Sequence, residues 1–235
     1  MRTLVHHDIN GQVFNPPEPG CVLCLTGLPG GGSKLYDRSP YGNLGTITGA
    51  TWQRLPSGLW YLDFDGSDDG INCGNPASLQ LSTITWELWV KPKAQTANNT
   101  YKGLLTKGAS YYHGLHIYYQ NDNPTYIWLC VDDTTDTYAG INYRWPSPTA
   151  RWWYVVGIAD TTRMELFVNA VSVGSATGSY QPTADSCSVG IGGVGGGSAR
   201  NCACCIALPR IHNRLLSKFE IQRHFAEEKH LFGVW

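Results

Sequence analysis

The segment at residues 59–75, LWYLDFDGSDDGINCGN, limits the fold of this 235-residue chain more than any other stretch. Trp60, Leu62 and Phe64 alternate with tyrosine and aspartate, which is the period of a half-buried β-strand. Residues 66–70 are a cluster of turn-forming types, and a second short strand follows them. Because an isolated hairpin is at best marginally stable, the segment predicts a larger β-sheet to which it belongs.

The composition is typical of a β-protein with many turns. Charged residues make up 15% of the chain and aromatic residues 12%, and the 27 glycines leave little sequence suited to long helices. The formal net charge is −1. Since no cluster of Lys or Arg occurs, we expect no nucleic-acid partner. The length fits a single all-β domain.

Several further segments resemble, in the same order, those of laminin-G-like domains of the concanavalin A-like lectin and glucanase family. In chain order they are TITGATW at 46–52, FDGSDD at 64–69 with CGN at 73–75, ITWELWVKP at 84–92, GLLTKG at 103–108, WWYVVGIADTTRMELFVNAVSV at 152–173 and PRIHNRLLS at 209–217. The resemblance covers roughly residues 21–222. It implies an all-β fold, a two-sheet antiparallel jelly-roll sandwich of the concanavalin A type.

One short C-terminal helix is predicted in addition to the strands. Ser217 and Glu220 have the spacing of a capping box, in which each side chain bonds the backbone amide of the other residue. Ile221 and Phe225 then lie one turn apart on a single face. The pattern predicts a helix over about 218–229.

The first 20 residues lie outside the resemblance. They lack the apolar core of a secretory signal, and no apolar run reaches the roughly 18 residues that span a membrane, so we expect neither a signal peptide nor a membrane partner. Prolines at 16, 17 and 19 end this segment in a stiff stretch, which predicts an arm at 1–20 and a domain at 21–235. Two roles stay open for this segment, which are a free terminus and an arm that docks on a partner. Because Val13 and Phe14 are apolar, the docking alternative predicts an ordered arm and a homo-oligomer.

The chain has eight cysteines, and three roles stay open for them. They are Cys21, Cys24, Cys73, Cys130, Cys187, Cys202, Cys204 and Cys205. Their spacing permits zinc, but no turn former separates Cys21 from Cys24, and a strand would place them on opposite faces. Buried thiols are the favoured role. The resemblance implies that the first and last strands are neighbours, which would allow a disulfide from Cys24 to Cys204 or Cys205.

Catalytic motifs are missing from the sequence. Glucanases of this fold carry Glu-x-Asp-x-x-Glu on one strand, and neither that run nor His-Glu-x-x-His nor Gly-x-Ser-x-Gly occurs here. The densest acids are Asp63, Asp65, Asp68 and Asp69, for which we expect hydrogen bonds within a turn. No carboxylate pair for glycoside hydrolysis can be assigned. We therefore predict that the protein is not an enzyme.

Calcium is the cofactor that the resemblance implies, and the sequence argues against it. Residues 190–197, GIGGVGGG, have no side-chain oxygen where related proteins carry an acidic loop, and Ala207 and Leu208 replace an Asp-Glu pair. Hard cations need several oxygen ligands, so we expect neither a family-type calcium site nor another cofactor or metal. Asp132, Asp133 and Asp136 leave an unrelated calcium site open.

Aromatic residues are concentrated in the middle strands of the chain, and Tyr111 and Tyr112 belong to the same group. Alternation places His116 on the same face as Tyr118, and Tyr126 on the same face as Trp128. Sugar rings stack on such platforms, and the candidate glycan-binding residues are His116, Tyr118, Tyr126, Trp128, Tyr143 and Trp145. The alternative is that half of this set belongs to the core.

These observations predict a non-catalytic, lectin-like binding or structural module. Similar laminin-G-like chains occur among tailed phages, so the resemblance implies a virion component: a capsid decoration, tail or receptor-binding subunit located in the virion. The expected partners are surface glycans and other virion subunits. A free-standing carbohydrate-binding protein is the alternative, and a glycanase or lyase lacks the residues that it would need.

Overall fold

The computed structural model describes residues 6–7, 13–14, 17–25, 32–96, 99–108, 113–133, 138–146, 148–182, 188–194 and 200–234. Within these ranges the chain forms two large antiparallel sheets and one α-helix, α1 (Lys218–Glu228). This confirms the predicted jelly-roll sandwich with a short C-terminal helix. No helix in the described ranges is both long and apolar enough to cross a membrane.

The strands are numbered along the chain, and the first two, β1 (His6–His7) and β2 (Val13–Phe14), pair with each other. Sheet one contains, in spatial order, β16 (Val171–Thr177), β15 (Arg163–Val168), β14 (Trp153–Ala159), β9 (Ile84–Pro92), β19 (Ala203–His212), β7 (Trp60–Asp65) and β6 (Thr51–Arg54). The strand β3 (Cys21–Cys24) also pairs with β19. The first strand of the domain is therefore a neighbour of the last, as the resemblance implies.

Sheet two packs against sheet one. It contains, in spatial order, β13 (Tyr138–Arg144), β12 (Asn123–Asp133), β11 (Gly114–Gln120), β10 (Thr100–Lys107), β18 (Val189–Ile191), β8 (Gly70–Asn72), β5 (Gly45–Thr48) and β4 (Lys34–Leu35). The strand β17 (Tyr180–Gln181) pairs with β12. Short 3₁₀ turns lie at Ala77–Leu79, Pro148–Ala150 and Lys229–Phe232.

The main core lies between the two sheets. In β9, the alternating residues Trp86, Leu88 and Val90 are fully buried in this core. Trp89 points to the other side of sheet one and belongs to a second apolar cluster. A strand with large apolar groups on both faces is covered on both faces, so sheet one is sandwiched between sheet two and the C-terminal helix, as the sequence of β9 predicts.

Helix α1 covers the outer face of sheet one. Its capping box is formed as predicted, since Ser217 accepts a hydrogen bond from the Glu220 amide and Glu220 accepts one from the Ser217 amide. Trp89 stacks on Phe232, with ring centroids 4.1 Å apart, and on Phe225, at 5.8 Å. Each buried side chain of this size contributes roughly 1.5–3 kcal/mol, so apolar contact is a large part of what holds the C-terminal segment on the sheet.

A buried ionic network lies under the same helix. Glu87 of β9 is fully buried and is ion-paired with Arg210 of β19 and with His224 of α1, at 3.1 Å between His224 Nδ1 and Glu87 Oε2. Arg210 also donates two hydrogen bonds to Glu228, at 2.6 and 3.0 Å. Trp89 Nε1 donates to the same carboxylate at 2.7 Å. The network satisfies charges that would otherwise be costly to bury.

The end of the predicted arm is attached to this helix. Glu18 is ion-paired with Arg223, with Arg214 at 3.6 Å and with His224 Nε2 at 3.3 Å. The division at residue 20 stays a prediction. Apart from the backbones of β1 and β2 and residues 17–20, the arm lies outside the described residues.

Seven cysteines are described, and all seven are buried and free, whereas Cys187 lies outside the described residues. Two expectations for them are wrong. The bridge from Cys24 to Cys204 or Cys205 is excluded by register, because Cys24 lies opposite Arg210, six residues along β19 from Cys204. Cys21 and Cys24 are not on opposite faces, since the Cys24 thiol is near enough to raise the pKa of Cys21. An irregular register between Ile211 and His212 interrupts the alternation there.

Candidate functional site

An aromatic surface forms on the outer face of sheet two, where β10, β11 and β12 lie side by side. Tyr101 lies opposite Tyr118, and Tyr118 lies opposite Tyr126 in the next strand. Trp128 follows two residues after Tyr126 and so shares its face. All four side chains are half-buried. We call Tyr101, Tyr118, Tyr126 and Trp128 the aromatic patch.

The rings of the aromatic patch hold one another in place. The centroids of Tyr101 and Tyr118 are 4.9 Å apart, and those of Tyr101 and Trp128 are 5.4 Å apart with the planes at 80°. Tyr118 and Tyr126 are tilted at 6.3 Å. Tilted and edge-to-face contacts at these distances are favourable, so the patch is ordered before any ligand binds.

Small and polar residues of β13 shape one side of the patch. A Cβ atom added to Gly140 would come within 2.9 Å of Cε3 of Trp128, so the indole lies against the bare backbone of β13. Asn142 lies opposite Trp128 and Arg144 opposite Tyr126, and both are exposed. The patch is thus bordered by an amide and a guanidinium that can donate hydrogen bonds.

Of the six predicted residues, Tyr118, Tyr126 and Trp128 lie together in the patch. His116 is on the same face but is fully buried beneath it. Burial, helped by Arg200 and His113, lowers the pKa of His116 to about 3, so this histidine is neutral near pH 7. It contributes packing to the patch and no exposed surface.

The expectation that Tyr143 and Trp145 share this surface is wrong. Tyr143 lies opposite Ile127 and packs against the main core. Trp145 is buried in that core, with its ring centroid 5.5 Å from that of Trp153. Both therefore point to the inner face of sheet two, and the alternative that part of the aromatic set is core applies to these two residues. Tyr111 and Tyr112 lie outside the described residues.

Tyr101 is the residue of the patch that the sequence analysis missed. The segment GLLTKG predicts a strand that begins at Gly103, whereas β10 begins at Thr100. Had the strand been extended by three residues, alternation would have placed Tyr101 on the face of Gly103. Tyr118 also donates a hydrogen bond from its hydroxyl to Asn99 Oδ1, at 3.3 Å, next to the start of this strand.

Acidic side chains gather at the turn between β7 and β8. Asp65, Asp68 and Asp69 each place a carboxylate oxygen within 4.8 Å of the others. Asp69 accepts a hydrogen bond from the Asp65 amide, and Asp65 accepts one from the Ser67 amide, both at 2.7 Å, which confirms the predicted turn hydrogen bonding for these two residues. Burial raises the pKa of Asp69, and the other two carboxylates add to this effect.

The other positions considered for calcium add no ligand among the described residues. Ala207 and Leu208 are buried in β19 and have no side-chain oxygen. Residues 190–194 are glycine, isoleucine and valine, and residues 195–197 lie outside the described ranges, as do the side chains of Asp132, Asp133 and Asp136. That the protein binds no metal or cofactor stays a prediction.

Comparison with known proteins gives a family and a set of similar folds. A family model described as the Concanavalin A-like lectin/glucanases superfamily matches residues 65–222. No curated protein matches this sequence.

Three solved structures illustrate the fold similarity. The binding domain of Paraclostridial Mosquitocidal Protein 1 has a TM-score of 0.69 and 12% identity, over 92% of this chain and 55% of that one. The binding domain of botulinum neurotoxin serotype G has a TM-score of 0.67 and 13% identity, over 88% of this chain and 51% of that one. The receptor binding domain of botulinum neurotoxin C/D mosaic serotype has a TM-score of 0.66 and 15% identity, over 89% of this chain and 51% of that one. This chain spans about half the length of these structures, and such low identities show a shared fold alone.

Proposed function

This chain belongs to the Concanavalin A-like lectin/glucanases superfamily, and we propose that it is a non-catalytic module that binds carbohydrate through the aromatic patch. The observation that carries the proposal is the ordered group of Tyr101, Tyr118, Tyr126 and Trp128 on the outer face of sheet two. Sugar rings present C–H faces that stack on aromatic rings and hydroxyl groups that bond to polar neighbours. The half-buried rings and the exposed Asn142 and Arg144 together offer both kinds of contact.

The position of the patch in the fold supports this assignment. The outer face of sheet one is covered by α1, and Trp89 and Tyr154 are fully buried there. On the outer face of sheet two, the four rings of the aromatic patch keep part of their surface exposed. The similar solved structures are named binding domains or receptor binding domains, which agrees with a binding role at the level of the fold.

The acidic residues support a non-catalytic role. Glycoside hydrolysis needs one carboxyl group to transfer a proton and a second to act as base or nucleophile across the sugar. Asp65 and Asp69 instead accept backbone hydrogen bonds within one hairpin turn, and Asp63 is ion-paired with Lys93. These carboxylates already have structural partners.

A glycan microarray probed with the purified chain tests the proposal. Trp128→Ala and Tyr118→Ala should weaken binding to any positive glycan about tenfold, which corresponds to about 1.4 kcal/mol. Phe219→Ala is the matched control, because this aromatic residue is 74% exposed but lies on α1, over sheet one. Melting temperatures would verify that each variant is folded. Binding that is absent from the whole array, or unchanged in both patch variants, would overturn the proposal.

A role in a virion, as a capsid decoration, tail or receptor-binding subunit, is a second proposal. It is supported by the N-terminal segment, whose strands β1 and β2 pair with each other and whose end is attached to α1 through Glu18. A segment anchored at its root is suited to contact a neighbouring subunit, and a symmetric homo-oligomer is the commonest such assembly.

Light scattering of the full chain and of a variant lacking residues 2–16 tests this assembly role. The deletion spares Glu18, so the ion pairs at the root of the arm are kept. We expect an oligomer for the full chain and a smaller mass for the deletion. Equal masses would count against assembly through the arm, and genes for capsid, portal or tail proteins beside this gene would support the virion context.

A further inference from the structure

A second concave surface lies on the outer face of sheet two, toward the β4 edge and away from the aromatic patch. It is a groove of about 650 Å³ whose floor is formed by β5 and β8. Thr46 lies opposite Asn72 in these strands, and Thr48 lies opposite Gly70. The intervening Ile47 is buried in the core, so alternation directs the threonine side chains outward into the groove.

The groove is lined by hydroxyl and amide groups. Thr46 and Thr48 are exposed, and their hydroxyls have no hydrogen-bond partner among the residues that the structure describes. Asn72 uses its side-chain oxygen to accept a hydrogen bond from the Gly74 amide at 2.8 Å, which leaves its NH₂ group directed away from that bond. Donors and acceptors on a rigid strand pair are suited to a ligand with several hydroxyl groups.

Charge and shape narrow the class of ligand. Asp68 lines the groove and belongs to the acidic group with Asp65 and Asp69, so a phosphate or carboxylate ligand would be repelled. The described residues that line the groove include no Lys or Arg, which argues against nucleic acid. Leu44, 48% exposed, adds an apolar wall beside the polar floor. A neutral sugar has both an apolar C–H face and hydroxyl groups and matches this combination.

The groove and the aromatic patch are separate surfaces on one face. From β8 to β11 the sheet crosses β18 and β10, a distance of roughly 15 Å at ordinary strand spacing. Between them, Gly193 lies over β10, where its carbonyl accepts a hydrogen bond from Thr106 Oγ1 at 3.0 Å. This ridge separates the two surfaces, so a single small sugar cannot contact both.

We propose that the groove is a second carbohydrate site, which binds a neutral sugar by hydrogen bonds from Thr46, Thr48 and Asn72 to its hydroxyl groups. The proposal rests on the proposed carbohydrate-binding function and adds a second site to it. Two sites on one face bind a branched or repeating glycan with greater avidity than either site alone, because the second contact is intramolecular.

Two-dimensional amide NMR tests the proposal, with methyl glycosides of glucose, galactose, mannose and N-acetylglucosamine as probes. We expect shifts at the amides of β5 and β8 as well as at those around the patch. The double variant Thr46→Val with Thr48→Val should raise the dissociation constant obtained from the groove shifts about tenfold, since two hydrogen bonds of ordinary strength are lost. Trp128→Ala should leave the groove shifts unchanged.

Thr177→Val is the matched control, because this exposed strand threonine lies in sheet one. Replacing threonine by valine keeps the side-chain shape and suits a strand, so the variants should remain folded. Shifts confined to the patch would overturn the second site and leave the proposed function standing. Groove shifts that persist in the double variant would overturn the role of the threonines, and no shifts with any probe at either surface would count against both proposals.

Discussion

Replacing His224 by glutamine should make the stability of the protein much less dependent on pH between 6 and 10. His224 lies in α1 with its side chain 3% exposed, between Glu87 and Glu18. Burial alone lowers the pKa of a histidine, but here the charge of Glu87 and the hydrogen bonds to Glu18 and Glu87 outweigh it and raise the pKa to about 9. The histidine is therefore charged near pH 7 and helps to balance the buried carboxylate.

The expected magnitude follows from this pKa. In the unfolded chain the histidine has its ordinary pKa of 6.5, and the difference from about 9 corresponds to about 3 kcal/mol of folding free energy. Because the folded pKa is the higher one, this stabilisation is fully present below pH 6.5 and is lost as the pH rises through 9. His224→Gln removes it at every pH.

Urea unfolding followed by tryptophan fluorescence between pH 6 and pH 10 measures the effect. At pH 6 we expect the variant to be less stable than the wild type by about 3 kcal/mol, and at pH 10 we expect the gap to become small. Other groups that titrate in this range are common to both proteins, so the difference isolates His224. His230→Gln is the control, since His230 is exposed in the turn that follows α1. A gap that stays the same from pH 6 to pH 10 would refute the reasoning.

Three further predictions use other parts of the structure. Gly140→Ala should displace the Trp128 ring, which lies 2.9 Å from the added carbon, and should weaken glycan binding on the array while the melting temperature falls by only a few degrees; unchanged binding would show that the position of this ring is unimportant. Burial lowers the pKa of His212 to about 4, so the unfolded chain takes up this proton before the folded protein does as the pH falls. Calorimetry should therefore show a loss of stability between pH 6.5 and pH 4 that is smaller in His212→Asn than in the wild type. An equal loss in both proteins would contradict this. Treatment with a chelator should leave the melting temperature unchanged, and a drop of several degrees that calcium or zinc restores would show a metal site that the sequence does not reveal.

Local patterns in the sequence were sufficient to predict individual elements, whereas the class of fold was implied by the family resemblance. The alternation in β9 predicts that Trp86, Leu88 and Val90 face one layer and Trp89 another, and the structure confirms it. The capping box at Ser217 predicts the start of α1. These predictions succeed because strand period and helix caps depend on residues only a few positions apart.

The candidate site required the tertiary structure. Alternation relates residues within one strand, but the face that each strand turns to the core is set by its pairing with neighbours. Tyr143 and Trp145 therefore could not be separated from Trp128 by sequence, and Tyr101 could not be joined to Tyr118.

The ionic network depends on the same long-range pairing. Glu87, Arg210 and Glu228 are far apart along the chain and meet only when β9 and β19 pair and α1 folds over both strands. The sequence determined which elements form and which residues within each share a face. The packing of sheets and helix decided which of those faces became core, buried charge or open surface, because only packing sets which side chains lose contact with water.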